Sequence, residues 1–399
     1  MKLVVLCDAK QEADIRLNIL RNRGVRLWDE ALSDPTQVHC EVVIGNEAFD
    51  QIESFIKLCP QATFVLDPLL QGTNPGFWKH TDGLRKNYTD VTIHSPTTKA
   101  AFSSLISREI KHCGLDYRSR LVSSMKAQYG ASLSGEHLLN EWVRQFSKMG
   151  VESYGEDILR CMEVLSEGEL RHLLSLDRTT KYCVLSKNGS DRSIIRQLDS
   201  CGNLHQVRLL SECLDHVNTT PITLLVDSVH SGSQLIEEFE RCLNKMIGFS
   251  GKIVVKAAHL TTYGTHKVKQ WLQRHNLESI VDLDFSNALK VENITSLNAQ
   301  KQSELELRLN ILGHKQSYIE KAVGFCRKIG ATLKQTEDHG DYPDLLVGLG
   351  GFSLGLTSMI GFPGKGVLPV LRLSGPVKFD THKLEWKALF SHGNTSGAG

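Results

Sequence analysis

A short segment at residues 222–236, ITLLVDSVHSGSQLI, combines an apolar run, one acid, small polar residues around a glycine and the start of a helix. We expect its apolar run to be a strand that ends at Val226, so that Asp227 projects from the carboxyl end, where open α/β sheets bind ligands. The first turn of the helix that follows has free N–H groups, and Gly232 lets the backbone approach a phosphate closely. Asp227 could then accept hydrogen bonds from two ribose hydroxyls. The segment is typical of a loop that binds a phosphorylated ribose.

Three other residues of this loop add polar groups. Ser231 and Ser233 supply hydroxyl donors to the same anion, and His230 lies where it could contact phosphate or transfer a proton. Each has an ordinary alternative, because serine and glycine before a helix also act as caps and a loop histidine usually faces solvent. Spacing alone leaves both interpretations open.

A second loop of similar composition follows the predicted strand at 181–186. Lys187 offers positive charge and Gly189 offers backbone freedom, with Asn188 and Ser190 as polar neighbours. A turn at Asn188 and Gly189 explains the same residues equally well. The two loops form a candidate site only if the fold brings them together.

The elements that must position these loops form two βα series. In residues 1–115, predicted strands alternate with helices at 2–7, 11–22, 25–28, 41–45, 47–58, 62–66, 91–95 and 97–111. Continuous apolar strands separated by helices predict a parallel sheet covered on both faces, as in a small flavodoxin-like or receiver-like α/β domain. That likeness is architectural only, and we assign this domain no chemistry. Residues 67–90 are rich in Gly, Pro and Asn and predict a long surface loop. Asp67 and Lys99 could serve as site residues, but a solvated loop acid and a helix-start lysine explain them better.

The rest of the chain divides into three predicted parts. Residues 116–177 carry helical apolar stripes and predict a linker bundle. Residues 178–390 hold the second βα series, in which GVLPVLRL at 366–373 should return to the sheet. Residues 391–399 have the composition of a disordered tail.

Composition narrows the class of protein. The 399 residues are 41% hydrophobic and 23% charged with a net charge of +1, which gives no overall electrostatic case for binding nucleic acid or a membrane surface. No apolar stretch approaches the ~20 residues of a membrane span. The ten cysteines contain no CxxC pair and predict reduced thiols in the cytoplasm. No spacing typical of metal ligands is present, so no metal site is predicted.

The segment at 222–236 resembles the ribose-phosphate motif of phosphoribosyltransferases, with Ser228 where a second acid is usual and one residue fewer before Gly232. Other segments match in order, namely LLNEWVRQFSKMG, KAAHLTTYGTHKVKQWL, HKQSYIEKAVGFCRKIG, FPGKGVLPVLRL and EWKALF. Over residues 118–390 the chain resembles the phosphoribosyltransferase-like effector family of bacterial conflict systems. That family is found beside antiphage modules, including some retrons.

The resemblance implies a fold and a set of site residues. Residues 178–390 should form a phosphoribosyltransferase-like parallel sheet with helices on both faces. By position, Asp227 matches the ribose-binding acid. The residues that match phosphate subsites are Ser231, Gly232 and Ser233 on the 5′-phosphate side and Lys187, Asn188, Gly189 and Ser190 on the pyrophosphate side.

The resemblance also implies an effector or toxin role and a ligand that is phosphoribosyl pyrophosphate or a nucleotide. Expected partners are proteins of the defence system or a retron reverse transcriptase with its RNA–DNA. Mg²⁺ would be held through the ribose, and the sequence leaves its use open. Ser228 keeps a hydrogen bond but lacks the charge of the second acid. The chain is therefore either an enzyme acting at ribose C1′ or an inactive module for regulation or for protein or nucleic-acid contacts.

Overall fold

A computed structural model describes most of the chain. It covers residues 3–24, 42–45, 51–129, 135–164, 170, 173–176, 180, 182–186, 194–195, 198, 207–216, 221–229, 232–286, 288–291, 304–335, 357–358 and 369–389. The chain forms two compact units. The first comprises Met1–Ser123, Glu156–Glu163 and Arg308–Lys315, and the second comprises Ser124–Gly155, Val164–Leu307 and Gln316–Gly399. The predicted boundaries after residues 115, 177 and 390 stay predictions.

The first unit contains a parallel sheet of four strands. Its strands are β1 (Leu3–Leu6), β2 (Val42–Gly45), β3 (Thr63–Leu66) and β4 (Thr92–His94). They lie in the order β2-β1-β3-β4 and every pairing is parallel. The predicted strand at 25–28 lies outside the described residues.

Helices cover both faces of this sheet. They are α1 (Glu12–Arg23), α2 (Ile52–Leu58), α3 (Leu70–Thr73), α4 (Phe77–Asn87) and α5 (Lys99–His112). Leu3 and Val5 pack with residues of α1 and α5, whereas Val4 and Leu6 pack with residues of α2 and α4. Alternate residues of one strand thus enter two cores, which confirms the predicted parallel sheet with helices on both faces.

The loop predicted for residues 67–90 is wrong, because most of that segment is helical. α3 and α4 occupy it, and Phe77, Thr81 and Leu84 form a buried stripe at helical spacing along α4. Pro75 and Gly76 lie at the junction of the two helices, where Gly76 has a φ of 88° and precedes α4. Gly72 and Gly83 lie within α3 and α4 themselves. The overall Gly and Pro content of the segment therefore does not distinguish two short helices joined by a turn from a long loop.

Asp67 is fully buried, so its prediction as a solvated acid is also wrong. Its carboxylate accepts hydrogen bonds from Asp8 N at 3.0 Å, Leu69 N at 2.9 Å and Gln11 Nε2 at 3.0 and 3.1 Å. These donors replace water around the buried charge. Burial, with the Asp67 charge next in size, raises the pKa of the Cys7 thiol to about 12. Lys99 begins α5 as predicted and pairs with Asp14 at 3.1 Å.

The second unit contains a larger parallel sheet. Its strands are β6 (Tyr182–Val184), β7 (Arg208–Leu209), β8 (Ile222–Val229), β9 (Ile253–Thr261) and β10 (Val281–Asp284), in the order β10-β9-β8-β6-β7, and β11 (Leu289–Val291) also pairs with β9. Helices α9 (Leu210–His216), α10 (Ser233–Ile247) and α11 (Thr262–Arg274) follow β7, β8 and β9. Apolar residues of α10 and α11 share one core with β8 and β9. This unit is α/β, as predicted.

The remaining elements are mostly helical. They are α6 (Tyr117–Tyr129), α7 (Gly135–Lys148), α8 (Glu152–Cys161), β5 (Glu163–Val164), α12 (Glu304–Ile311), α13 (Gln316–Gln335), β12 (Thr357–Ser358), α14 (Pro369–Arg372), β13 (Gly375–Phe379) and β14 (His382–Trp386). Within the described ranges no helix has the length and apolarity needed to cross a membrane.

An aromatic core joins α7, α13 and β14 in the second unit. Phe146 lies 5.0 Å from Trp386 and 5.4 Å from Phe325, measured between ring centroids. The indole N–H groups of Trp142 and Trp386 both donate to the carbonyl of Val370, at 3.1 and 2.9 Å. Val370 lies in α14, so the strand predicted at 366–373 is wrong for its described residues. Pro369 at the first helical position favours a helix start instead.

We predict that Asp67→Asn weakens the first unit. The amide keeps one acceptor oxygen but turns a donor toward backbone N–H groups that lose their partner, which should cost about 2–3 kcal/mol. Hydrogen exchange of the β1 and β3 amides in the full chain measures this loss. Asp90→Asn at an exposed position is the control and should change the opening free energy by less than about 0.5 kcal/mol. Equal effects of the two substitutions would contradict a structural role for Asp67.

Candidate functional site

The strand order of the second sheet reverses between β6 and β8. β6 comes first along the chain, β7 lies on one side of it, and β8 lies on the other. In open α/β sheets, ligands bind outside the carboxyl ends of the strands at such a reversal. Strands β6 and β8 both end at this edge of the sheet. The predicted loop residues 187–190 and 230–231 lie outside the described residues, so their meeting at one crevice stays a prediction.

The sheet register places the end of β6 close to Asp227. Val184 at the end of β6 pairs with Leu225, two residues before Asp227. Beyond β6 the described chain continues to Ser186. Lys187, Asn188, Gly189 and Ser190 lie outside the described residues, as do His230 and Ser231. Their predicted contacts with phosphate stay predictions.

Strand β8 is longer than the sequence predicted. It continues to Val229, with Ser228 paired to His259 and Val229 paired to Leu260. The expectation that the strand ends at Val226 is therefore wrong, and Asp227 lies inside the strand near its end. The reason is the length of β9, which offers paired backbone as far as Thr261.

Asp227 and Ser228 are both half-buried and interact directly. Ser228 N donates to Asp227 Oδ1 at 2.7 Å, and the Ser228 hydroxyl is 3.4 Å from the same oxygen. His259, the sheet neighbour of Ser228, is buried. Asp227 Oδ1 is thus the carboxylate oxygen that Ser228 contacts.

Gly232 sets the start of helix α10. Its φ of 71° is in the left-handed region, and a Cβ at this position would lie 2.9 Å from both the Gly264 carbonyl oxygen and Val268 Cγ2. Only glycine fits this backbone and this space without strain. The first turn of α10 can thereby pack against the first turn of α11.

Helix α11 begins at the same edge of the sheet. Thr261, the last residue of β9, caps it by accepting a hydrogen bond from Gly264 N at 2.9 Å. Two helix N-termini, each with a partial positive charge, therefore lie side by side beyond β8 and β9. Such an arrangement attracts anions.

Lys267 adds a full positive charge to this region. Its Nζ donates to the Ser233 hydroxyl, the first residue of α10, at 3.1 Å. A cation at a helix N-terminus is electrostatically unfavourable, since that end already carries positive partial charge. In the part of the chain that the structure describes, no carboxylate lies within ion-pair distance of Lys267. A bound anion would supply the missing compensation.

The chain matches no protein-family model, no curated protein and no solved structure. A role for the crevice therefore rests on its own geometry. At this edge of the sheet the structure shows one contact between Asp227 and Ser228 and one between Ser233 and Lys267, with Gly232 at the start of α10. Of these residues, Asp227, Ser228, Gly232 and Ser233 are also predicted from the sequence as site residues. The bond between Lys267 and Ser233 spans 34 residues and has no local sequence signal.

Trp271 on helix α11 is not an open aromatic platform for nucleic-acid bases. Trp271 is buried, stacks on His275 with ring centroids 4.1 Å apart, and donates its indole N–H to Glu240 at 3.3 Å. Bases stack on aromatic faces that solvent can reach. This face of α11 is therefore part of the fold rather than a stacking surface.

The described residues contain no group of three or more His, Cys, Asp or Glu side chains that could hold a metal ion. Asp227 is the single acid that the prediction assigns to the crevice.

We predict that Gly232→Ala destabilises the second unit by about 2–4 kcal/mol, because alanine disfavours a left-handed φ and its Cβ would clash with Gly264 and Val268. Urea unfolding of the full chain measures the change. Gly248→Ala at the other end of α10 is the control. Its φ is −82° and its Cβ would meet atoms at 3.8 and 3.9 Å, so it should be neutral or stabilise by up to about 1 kcal/mol. Equal unfolding free energies of the two variants would show that the packing of Gly232 against Gly264 and Val268 is not important for stability.

Proposed function

We propose that this chain binds a phosphoribosyl ligand, phosphoribosyl pyrophosphate or a nucleotide, in the crevice beyond β6 and β8. The observation that carries the proposal is the position of Lys267 at the joint N-termini of α10 and α11, 3.1 Å from Ser233 and beside the strand that holds Asp227. A phosphate is the anion that suits two rows of backbone N–H groups and one ammonium.

The proposed ligand would lie across the strand-order reversal. Its 5′-phosphate would occupy the first turn of α10, with Gly232, Ser233 and Lys267 as donors and His230 and Ser231 as further contacts. The ribose hydroxyls would donate to Asp227. The pyrophosphate or base would then extend toward Lys187, Asn188, Gly189 and Ser190. Each contact follows from the residue type and from the register of β6 on β8.

In the catalytic form of this proposal, the bond between C1′ and the leaving group breaks. The leaving group keeps the bonding electrons, and a base or water forms the new bond at C1′. Positive charge develops on the ribose, and the Asp227 carboxylate, hydrogen-bonded to ribose hydroxyls, would stabilise that charge. When bound, Mg²⁺ would neutralise charge on a leaving pyrophosphate.

A second candidate function is a phosphoribosyltransferase-like module that binds its ligand without turnover. Ser228 favours it, because it stands where a second acid is usual and directs both its N–H and its hydroxyl to Asp227. One carboxylate stabilises a cationic transition state less than two do. Ligand binding would then act as a regulatory signal.

We further propose that the chain is an effector of a bacterial antiphage system, as its resemblance to the conflict-system family implies. The first unit would contact proteins of that system or a retron reverse transcriptase complex. An open depression of about 720 Å³ supports such a contact, since Leu69 and Trp78 line it and are 46% and 42% exposed. Exposed large apolar side chains of this kind are common at protein interfaces.

We predict that isothermal titration detects binding of phosphoribosyl pyrophosphate or ribose 5-phosphate, and that Lys267→Met weakens it about 10- to 100-fold through loss of one charged hydrogen bond. Lys269→Met is the matched control, because Lys269 is exposed on the same helix. Asp227→Ala should weaken binding of the ribose ligands but not of inorganic phosphate. The proposal fails if the wild-type chain binds none of these compounds, or if Lys267→Met and Lys269→Met are equal.

We predict that the catalytic form releases pyrophosphate from phosphoribosyl pyrophosphate, and that Asp227→Asn lowers kcat more than it raises KM. The amide keeps a hydrogen-bonding group for the ribose but loses the charge that the transition state requires. Pyrophosphate release with and without Mg²⁺ is the measurement. Tight binding with no release by the wild-type chain would contradict the enzyme and support the regulatory module.

A further inference from the structure

Two cysteines of the second unit lie against each other behind the candidate site. Cys183 is the middle residue of β6 and is fully buried, and Cys213 in α9 is half-buried. β7 pairs with β6 at Cys183 and leads directly into α9, which packs back on β6. Cys213 thereby contacts the core cluster that contains Cys183. The two thiols are hydrogen-bonded to each other.

We propose that Cys183 and Cys213 are a redox modification site, which a peroxide converts into an intramolecular disulfide. The fold supplies what this reaction needs, namely two reduced thiols already in contact and one of them accessible. The other described cysteines with assigned thiol bonds donate elsewhere, Cys7 to the Gly45 carbonyl and Cys242 to Glu238.

The order of the two steps follows from exposure. Cys213 is half-buried and can meet peroxide first, whereas Cys183 is fully buried and reacts second. The hydrogen bond with the Cys213 thiol, followed by burial, raises the pKa of Cys183 well above its usual range, so Cys183 stays protonated until the second step.

The Cys213 thiolate attacks one oxygen of hydrogen peroxide, the O–O bond breaks, and the departing oxygen leaves as water after taking up a proton. The sulfenic acid so formed is attacked by the Cys183 sulfur, and the S–O bond breaks as the S–S bond forms. The Cys183 proton leaves with the hydroxyl group as the second water. In sum, two thiols are oxidised by two electrons and one peroxide is reduced to two waters.

Disulfide formation should also change the position of the strand that leads into the candidate site. Cys183 precedes Lys187 by four residues and lies in the strand that carries the predicted pyrophosphate loop. An S–S bond of about 2.05 Å is more than an ångström shorter than a thiol hydrogen bond, so β6 and α9 must approach each other. This consequence, unlike the redox site itself, rests on the proposed function.

The test treats the reduced full chain with hydrogen peroxide, alkylates the remaining thiols and maps the peptides by mass spectrometry. We expect a linked pair of peptides containing residues 183 and 213, lighter by two hydrogens than the separate peptides, and recovery of both thiols with dithiothreitol. Cys213→Ala should abolish the link with little effect on folding, because this residue is half-buried. Cys59→Ser, which changes a cysteine of similar exposure in the first unit, should leave the link intact.

Three results would overturn the redox site. These are full alkylation of both thiols after peroxide treatment, oxidation of Cys213 to sulfinic acid without a link, and linkage of Cys213 to another cysteine. Titration of phosphoribosyl pyrophosphate into the reduced and the oxidised chain is a separate readout. A disulfide that forms in a chain unable to bind the ligand would sink the proposed function and leave the redox site standing.

Discussion

Strands β8 and β9 stay paired as far as Val229 and Leu260, and this pairing brings the first turns of α10 and α11 to one edge of the second sheet. Backbone hydrogen bonds between neighbouring parallel strands fix where each strand can release its chain. The close approach of Gly232 to Gly264, the reach of Lys267 to Ser233 and the half-buried setting of Asp227 all follow from that edge. The candidate site is thus a product of strand length as much as of loop sequence.

Most of the secondary structure can be predicted from local patterns in the sequence. The continuous apolar runs of β1 and β8 predicted these two strands, because an apolar run is a property of neighbouring residues. Asp67 shows what such patterns miss. Its burial depends on Asp8 N and Gln11 Nε2, which lie 59 and 56 residues away along the chain. No local feature of the segment from 67 to 90 contains that information.

The candidate site likewise contains some features that the local sequence predicts and others that depend on tertiary packing. Gly232 and Ser233 could be predicted because small residues before a helix have a direct physical meaning at an anion site. The extension of β8 beyond Val226 could not, since the partner strand β9 decides it. The Lys267 contact depends on the packing of two helices and so appears only in three dimensions. The predicted roles of six loop residues stay predictions, because these residues lie outside the described part of the chain, namely Lys187, Asn188, Gly189, Ser190, His230 and Ser231.

The carbonyl of Val370 accepts two indole N–H groups, one from Trp142 and one from Trp386. A carbonyl oxygen has two lone pairs, so both bonds can form at once. Replacement of either tryptophan alone by phenylalanine would leave the buried carbonyl with one hydrogen-bond donor. Loss of both would leave an orphaned acceptor inside an aromatic core, at a cost larger than the two single losses suggest. Each tryptophan thereby lowers the cost of replacing the other. We expect substitutions at these two positions to be correlated among related sequences.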